Sequence, residues 1–202
     1  MKKLTTLLLA VVILASIMLS SCQINQCQYI LNDDKASYSV SVWGYSLAFL
    51  YDLNIEEYHN GLPVTKIASG GFTGNNAIGT VSLGSLIEEI GTYGFGSCES
   101  LTYFYAHEGL KVIGDYAFVN CENLTGVFLP STVEYIGLNA FGLCVNLEYI
   151  EYNGTMAQWH AIEKAEGWNY QTGLNLEFYQ IICLDGVVYM PDGAGTLPDI
   201  SN

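Results

Sequence analysis

Leu124-Thr-Gly-Val127-Phe-Leu129-Pro130-Ser-Thr-Val133-Glu-Tyr-Ile136-Gly137-Leu-Asn-Ala140-Phe141-Gly-Leu-Cys144 is the cleanest copy of a pattern that recurs every 23 residues. Ile67, Ile90, Ile113 and Ile136 keep that spacing, and each is followed five positions later by Phe72, Phe95, Phe118 or Phe141. Cys98, Cys121 and Cys144 share the register, as do Ile78, Leu101, Leu124 and Leu147, and again Val81, Phe104, Val127 and Ile150. A fixed period in this range means that each unit is one supersecondary turn. Such a turn cannot bury its apolar face alone and is stable only when neighbours stack on it. The expected architecture is a short solenoid of about four 23-residue repeats.

Each unit ends in an extended segment: Val81-Ser-Leu83, Phe104-Tyr-Ala106, Val127-Phe-Leu129 and Ile150-Glu-Tyr152. The alternation of apolar and outward residues is the two-residue period of a strand with one buried face. Stacked turns then form a parallel sheet. Gly91, Gly114 and Gly137, directly after the repeat isoleucine, suit a bend that needs either positive φ or a close backbone approach.

The pattern from Leu124 through Cys144 resembles the BspA-like, or Treponema-type, leucine-rich repeat, over about residues 62–153. The resemblance implies a short right-handed coil with a parallel β-sheet, of a kind common on bacterial surfaces and including adhesins for host or bacterial partners. This chain departs from the pattern at several places: Asn75 replaces the cysteine of the first unit and Ala68 its glycine, Gly71 and Gly94 replace alanine, and Ala106-His107 replaces Leu-Pro.

The N-terminus has a basic start at Lys2 and Lys3, an apolar run from Leu7 to Leu19, and then Ser20-Ser21-Cys22. This resembles a bacterial lipoprotein signal, which implies cleavage before Cys22, acylation of that cysteine, and export to a membrane-anchored position, expected at the cell surface. Of the six basic side chains, all lysines, two leave with the signal, so the mature chain carries 4 positive against 20 negative groups, or 4 − 20 = −16. Nucleic acid is excluded as an expected partner, because phosphate binding needs Lys or Arg to displace counterions. An anionic membrane surface would also repel the chain, leaving the lipid as its membrane contact.

With Cys22 assigned to lipid, five cysteines remain, an odd number that argues against a disulfide framework. Cys98, Cys121 and Cys144 recur once per turn and are expected to be buried small hydrophobes. No paired metal-ligand spacing accompanies them, so no metal and no cofactor is expected. Cys27 and Cys183 lie in the two flanks and are expected unpaired.

The expected organisation is a signal peptide at 1–21, a tether at 22–36, an N-terminal cap at 37–62, repeats at 63–153, a C-terminal cap at 154–190 and a flexible tail at 191–202. Open solenoid ends expose core and strand edges, so the flanks read as caps. Tyr38 to Val42 and Leu47 to Leu53 are expected strands, with a turn at Asn60-Gly61. Thr155-Met-Ala-Gln158 is a capping-box signature opening a helix that ends near Gly167, and Trp159 and Trp168 are expected to cover the last turn. Leu176 to Cys183 and Val187 to Met190 flank Asp185-Gly186 as a hairpin.

Catalysis has little to work with. His59, His107 and His160 fall on different elements, without a nucleophile motif. The pairs Glu56-Glu57 and Glu88-Glu89 are neighbours in sequence, and neighbours on a strand point to opposite faces rather than converging as a glycosidase needs. The outward strand positions carry Tyr103, Tyr105, Phe128 and Tyr149, beside Glu148 and Glu151. Strands about 4.8 Å apart would join these rings into one aromatic patch, the expected contact surface for an extracellular protein or glycan. The function expected is non-enzymatic recognition. A carbohydrate-active hydrolase and a purely structural envelope protein are the alternatives.

Overall fold

The computed structural model describes residues 27–42, 52–173 and 178–191; Cys22, the signal and most of the expected Leu47–Leu53 strand lie outside them. Each repeat contributes a strand to two sheets rather than to one. Sheet I runs in spatial order through β1 (Cys27–Leu31), β2 (Tyr38–Val42), β5 (Leu62–Ile67), β7 (Glu89–Ile90), β9 (Val112–Ile113), β11 (Tyr135–Ile136) and β13 (Glu163–Lys164), with β4 (Tyr58–His59) pairing against β5. Sheet II runs through β3 (Asp52–Asn54), β6 (Thr80–Ser82), β8 (Tyr103–Tyr105), β10 (Gly126–Pro130), β12 (Tyr149–Asn153), β14 (Phe178–Cys183) and β15 (Gly186–Pro191). The stacked strands are parallel, and the coil makes about five turns.

The coil therefore runs on into both flanks. Val40 pairs with Ile67 and Leu53 with Val81 at one end, while Lys164 pairs with Ile136 and Ile181 with Ile150 at the other. β1 lies within the expected tether, where it forms an antiparallel hairpin with β2. β15 closes sheet II the same way at the opposite end, so each antiparallel strand covers an edge that a bare parallel stack would leave open. Pro191 belongs to β15, and residues 192–202 lie outside the described ones. Asn60 and Gly61, at φ 49° and 81°, make the tight turn between β4 and β5.

Between the sheets, the repeat phenylalanines form a spine. The Phe72, Phe95, Phe118 and Phe141 rings are nearly parallel at centroid separations of 5.2, 5.5 and 5.2 Å, and Trp168 meets Phe141 edge-on at 6.1 Å. Beside it, each thiol donates to a phenylalanine carbonyl one turn back: Cys98 to Phe72, Cys121 to Phe95 and Cys144 to Phe118, at 3.1 to 3.2 Å. Buried Thr172 donates to Phe141 O in the same way, so it occupies the cysteine slot of the last turn.

Gly91 and Gly114 are required by close approach, not by positive φ. A Cβ on Gly91 would lie 2.7 Å from Ser69 N, and one on Gly114 2.8 Å from Ile90 O. Left-handed backbone sits two residues further on, at Tyr93, Tyr116 and Asn139 with φ of 56°, 57° and 49°. The Tyr93 and Tyr116 rings stack at 4.8 Å and help to offset that conformational cost.

The helix α1 spans Met156–Ala161, shorter than its sequence suggests. The Thr155–Gln158 capping box is present, and Asp185 Oδ1 accepts from Met156 N at 2.7 Å. Ile162 leaves helical backbone at ψ 129°, because the chain must re-enter sheet I as β13. Lys164 Nζ donates to Ile162 O at 3.0 Å and lies 4.8 Å over the Trp159 ring, so its ammonium closes the helix C-terminus.

Candidate recognition surface

The outer face of sheet II is set by strand register. Tyr103, Gly126, Tyr149, Gln180 and Tyr189 align across successive strands, and so do Tyr105, Phe128, Glu151, Ile182 and Val187. Inward neighbours Phe104, Val127, Ile150 and Ile181 are fully buried, which forces the intervening side chains out.

Tyr105 and Phe128 stack at 4.4 Å with 13° between their planes, and Phe128 meets Tyr149 edge-on at 5.8 Å. Tyr103 lies 6.4 Å from Tyr105. Gly126 leaves a gap in the row that the Tyr149 ring fills: a Cβ there would lie 2.8 Å from Tyr149 Cζ and 3.1 Å from Tyr103 Cδ1. Partial burial pushes the Tyr149 phenol upward, with the neighbouring tyrosines and Glu151 and Glu148 adding to it. The hydroxyl therefore stays a neutral donor at ordinary pH.

The structure thus brings Tyr103, Tyr105, Phe128 and Tyr149 together, as the alternation predicts. Glu151 is exposed within the same row, between Phe128 and Ile182 in register, and exposed Glu148 precedes β12. Three further side chains extend the strip onto the C-terminal hairpin: Ile182, Val187 at 37% exposure and Tyr189 at 44%. Their alternation is visible in sequence, but which face they join depends on β14 pairing with β12. On the other side the strip ends at Thr80 and Ser82.

Elsewhere the titratable groups are dispersed. His59 stacks on Tyr29 at 4.1 Å, and its Nδ1 lies 3.9 Å from Glu56 Oε2. His160 Nδ1 contacts Met156 O at 2.7 Å. Glu88 pairs with Lys111 at 2.8 Å and Glu89 with Lys66 at 2.6 Å, so these adjacent carboxylates are drawn to different lysines. Among the described residues no group of three or more His, Cys, Asp or Glu side chains could hold a metal ion. The described cysteines are all unpaired, with Cys27 and Cys183 on strands at opposite ends of the coil.

A family model for the BspA type leucine rich repeat region matches residues 45–161 in six copies. Among solved structures, the chain resembles the Treponema pallidum leucine rich repeat protein at 23% identity and TM-score 0.61, over 76% of this chain and 65% of that one. It spans about two thirds of that relative's length. It is also similar to a Bacteroides capillosus leucine-rich repeat protein, at 26% identity and TM-score 0.57, over 65% of this chain and 97% of the other. A leucine rich cell surface protein of Faecalibacterium prausnitzii follows at 26% identity and TM-score 0.51, over 71% of this chain and 42% of that one. No curated protein matches. With the periodic core, the two sheets and a family match covering more than half of its length, the chain belongs to the BspA-type leucine-rich repeat family.

Proposed function

We propose that this chain is an exported lipoprotein, anchored at Cys22, that displays a non-enzymatic recognition module for an extracellular protein. The observation that carries the reading is the aromatic strip on sheet II: Tyr103, Tyr105, Phe128 and Tyr149 lie in ring contact, Ile182, Val187 and Tyr189 extend the face onto the hairpin, and all remain at least partly exposed among the described residues. Proteins of this repeat family are typically binding modules, and the Faecalibacterium relative is described as a cell surface protein.

Ring orientation favours a polypeptide over a sugar for this strip. Tyr105 and Phe128 lie on adjacent strands and stack face to face, so their planes stand upright on the sheet and offer edges to solvent. A pyranose docks on a ring face, whereas apolar and peptide groups pack readily against ring edges. Exposed Glu148 and Glu151 favour a neutral or basic partner.

Two experiments test the reading. Cys22→Ser should release the protein from the membrane fraction, and retention there without incorporation of labelled fatty acid in the wild type would refute the anchor. A screen against extracellular proteins should yield a ligand whose affinity falls at least about tenfold, or about 1.4 kcal/mol, in the Tyr105→Ala/Phe128→Ala variant. Unchanged affinity in that variant removes the strip from the function.

A further inference from the structure

A concave surface lies beyond the polar end of the strip, beside the chain from Asn54 to Tyr58. It is an open groove of about 730 Å³ whose lining includes Asn54, Glu57, Tyr58, Ser82, Ser85 and His107. Such a volume is in the range of small-ligand sites. We infer that this groove is a separate binding site for a neutral saccharide of one or two rings, a ligand class distinct from the polypeptide assigned to the strip.

The chemistry of the lining selects that class. Ser82 Oγ lies 3.4 Å from His107 Nε2, a contact in which either partner can donate. Ser85 Oγ donates to Glu57 Oε1 at 2.9 Å, and Ser85 N reaches the same oxygen at 3.4 Å. Both contacts engage one carboxylate oxygen of Glu57, and Asn54, exposed, places its carboxamide on the same lining. The groove therefore offers donors and acceptors interleaved. An anion needs donors alone and a cation acceptors alone, whereas a sugar hydroxyl is both at once.

Charge narrows the class further. Glu57 and the neighbouring Glu56 line the groove without a lysine, so uronates, sialic acids and phosphorylated ligands are repelled. Tyr58, at 59% exposure on the rim, supplies an aromatic surface that the crowded rings of the strip do not, suited to the C–H face of a pyranose. Register ties the groove to the strip: Ser82 pairs with Tyr105 on one side and Asn54 on the other. A glycosylated partner could engage both surfaces, but the groove stands on its own residues.

The test is saturation-transfer NMR on the folded protein with cellobiose, maltose, lactose and N,N′-diacetylchitobiose. Sialyllactose serves as the anionic probe and Nα-acetyl-lysine amide as the cationic one. At least one neutral disaccharide is expected to receive saturation, with affinity reduced at least tenfold by Asn54→Ala and by His107→Ala and with no transfer to sialyllactose. Both residues are exposed, and circular dichroism confirms that the variants keep the fold. Silence of all four neutral disaccharides, signals that persist in both variants, or binding of the lysine probe in their place would each overturn the inference.

Discussion

Cys121 shows how a repeat position can be polar in chemistry and apolar in effect. Its thiol is fully buried yet donates to Phe95 O, and Thr172 makes the equivalent bond with a hydroxyl. A Cys121→Ser hydroxyl would therefore find its acceptor in place, and we expect it to cost only about 1 kcal/mol, below the penalty for an unpartnered buried hydroxyl. Urea unfolding measures this; a loss beyond about 3 kcal/mol would show that the slot rejects oxygen. Burial also pushes the thiols up from 9.0, Cys98 and Cys144 to about 12 and Cys121 well above its ordinary value. A thiol with a raised folded pKa keeps its proton while the unfolded chain loses it. Stability is thus fully present below pH 9 and falls as pH rises above it, the loss levelling off near 12 for Cys98 and Cys144 and higher for Cys121. Each contributes a slope of about 1.4 kcal/mol per pH unit. Unfolding at pH 8, 9.5 and 11 should show a decline that is shallower in Cys121→Ser by about that amount, and parallel curves for the two proteins would contradict the assignment.

Elements in this fold are short, and adjacent turns touch through backbone. Turn residues bond across repeats much as strand residues do: Phe72 N, Phe95 N and Phe118 N donate to Gly94, Ala117 and Ala140 carbonyls at 2.7 to 2.8 Å. The glycines after Ile90, Ile113 and Ile136 permit that approach. Gly114→Ala would place its Cβ 2.8 Å from Ile90 O and 3.0 Å from Thr92 N, both backbone atoms that belong to paired segments. We expect a loss of about 1 to 3 kcal/mol, as for other overpacked sites. The Gly61→Ala variant serves as a contrast, since its Cβ meets nothing within 4 Å and its cost comes from φ +81° alone. A Gly114→Ala protein as stable as wild type would mean that the turns can separate without penalty.

For the whole molecule, stability is a sum over units and the interfaces between them. Deleting residues 110–132, one full period, joins Gly109 to Val133 and brings each apolar series back into register. The shortened protein should fold with a cooperative transition at lower temperature. Deleting 110–121 instead removes half a period and should leave no cooperative transition. If both deletions unfold alike, the turns are not interchangeable and the repeat model of stability fails.

The period, the buried series of Ile67, Phe72, Cys98 and Val81 and their equivalents, and the outward set Tyr103, Tyr105, Phe128 and Tyr149 were all legible in the chain. Identical spacing repeats identical neighbours, and strand alternation assigns faces without knowledge of the partner. Sheet I was harder to see, because its strands are mostly two residues long and show no alternation of their own. The extra coil at each end was hidden for another reason. Val40 and Lys164 stand 27 residues before Ile67 and 28 after Ile136, off the period, and only hydrogen bonding to the neighbouring turn places them in the stack. The strip's extension through Ile182, Val187 and Tyr189, and the groove where Asn54 and Glu57 meet His107, likewise join residues that no local rule relates. The sequence by itself determined the repeating unit, its core and which side chains face out, since these follow from spacing along one strand or turn. Tertiary structure decided where the coil begins and ends and which outward residues share a surface, because both depend on register between strands far apart in the chain.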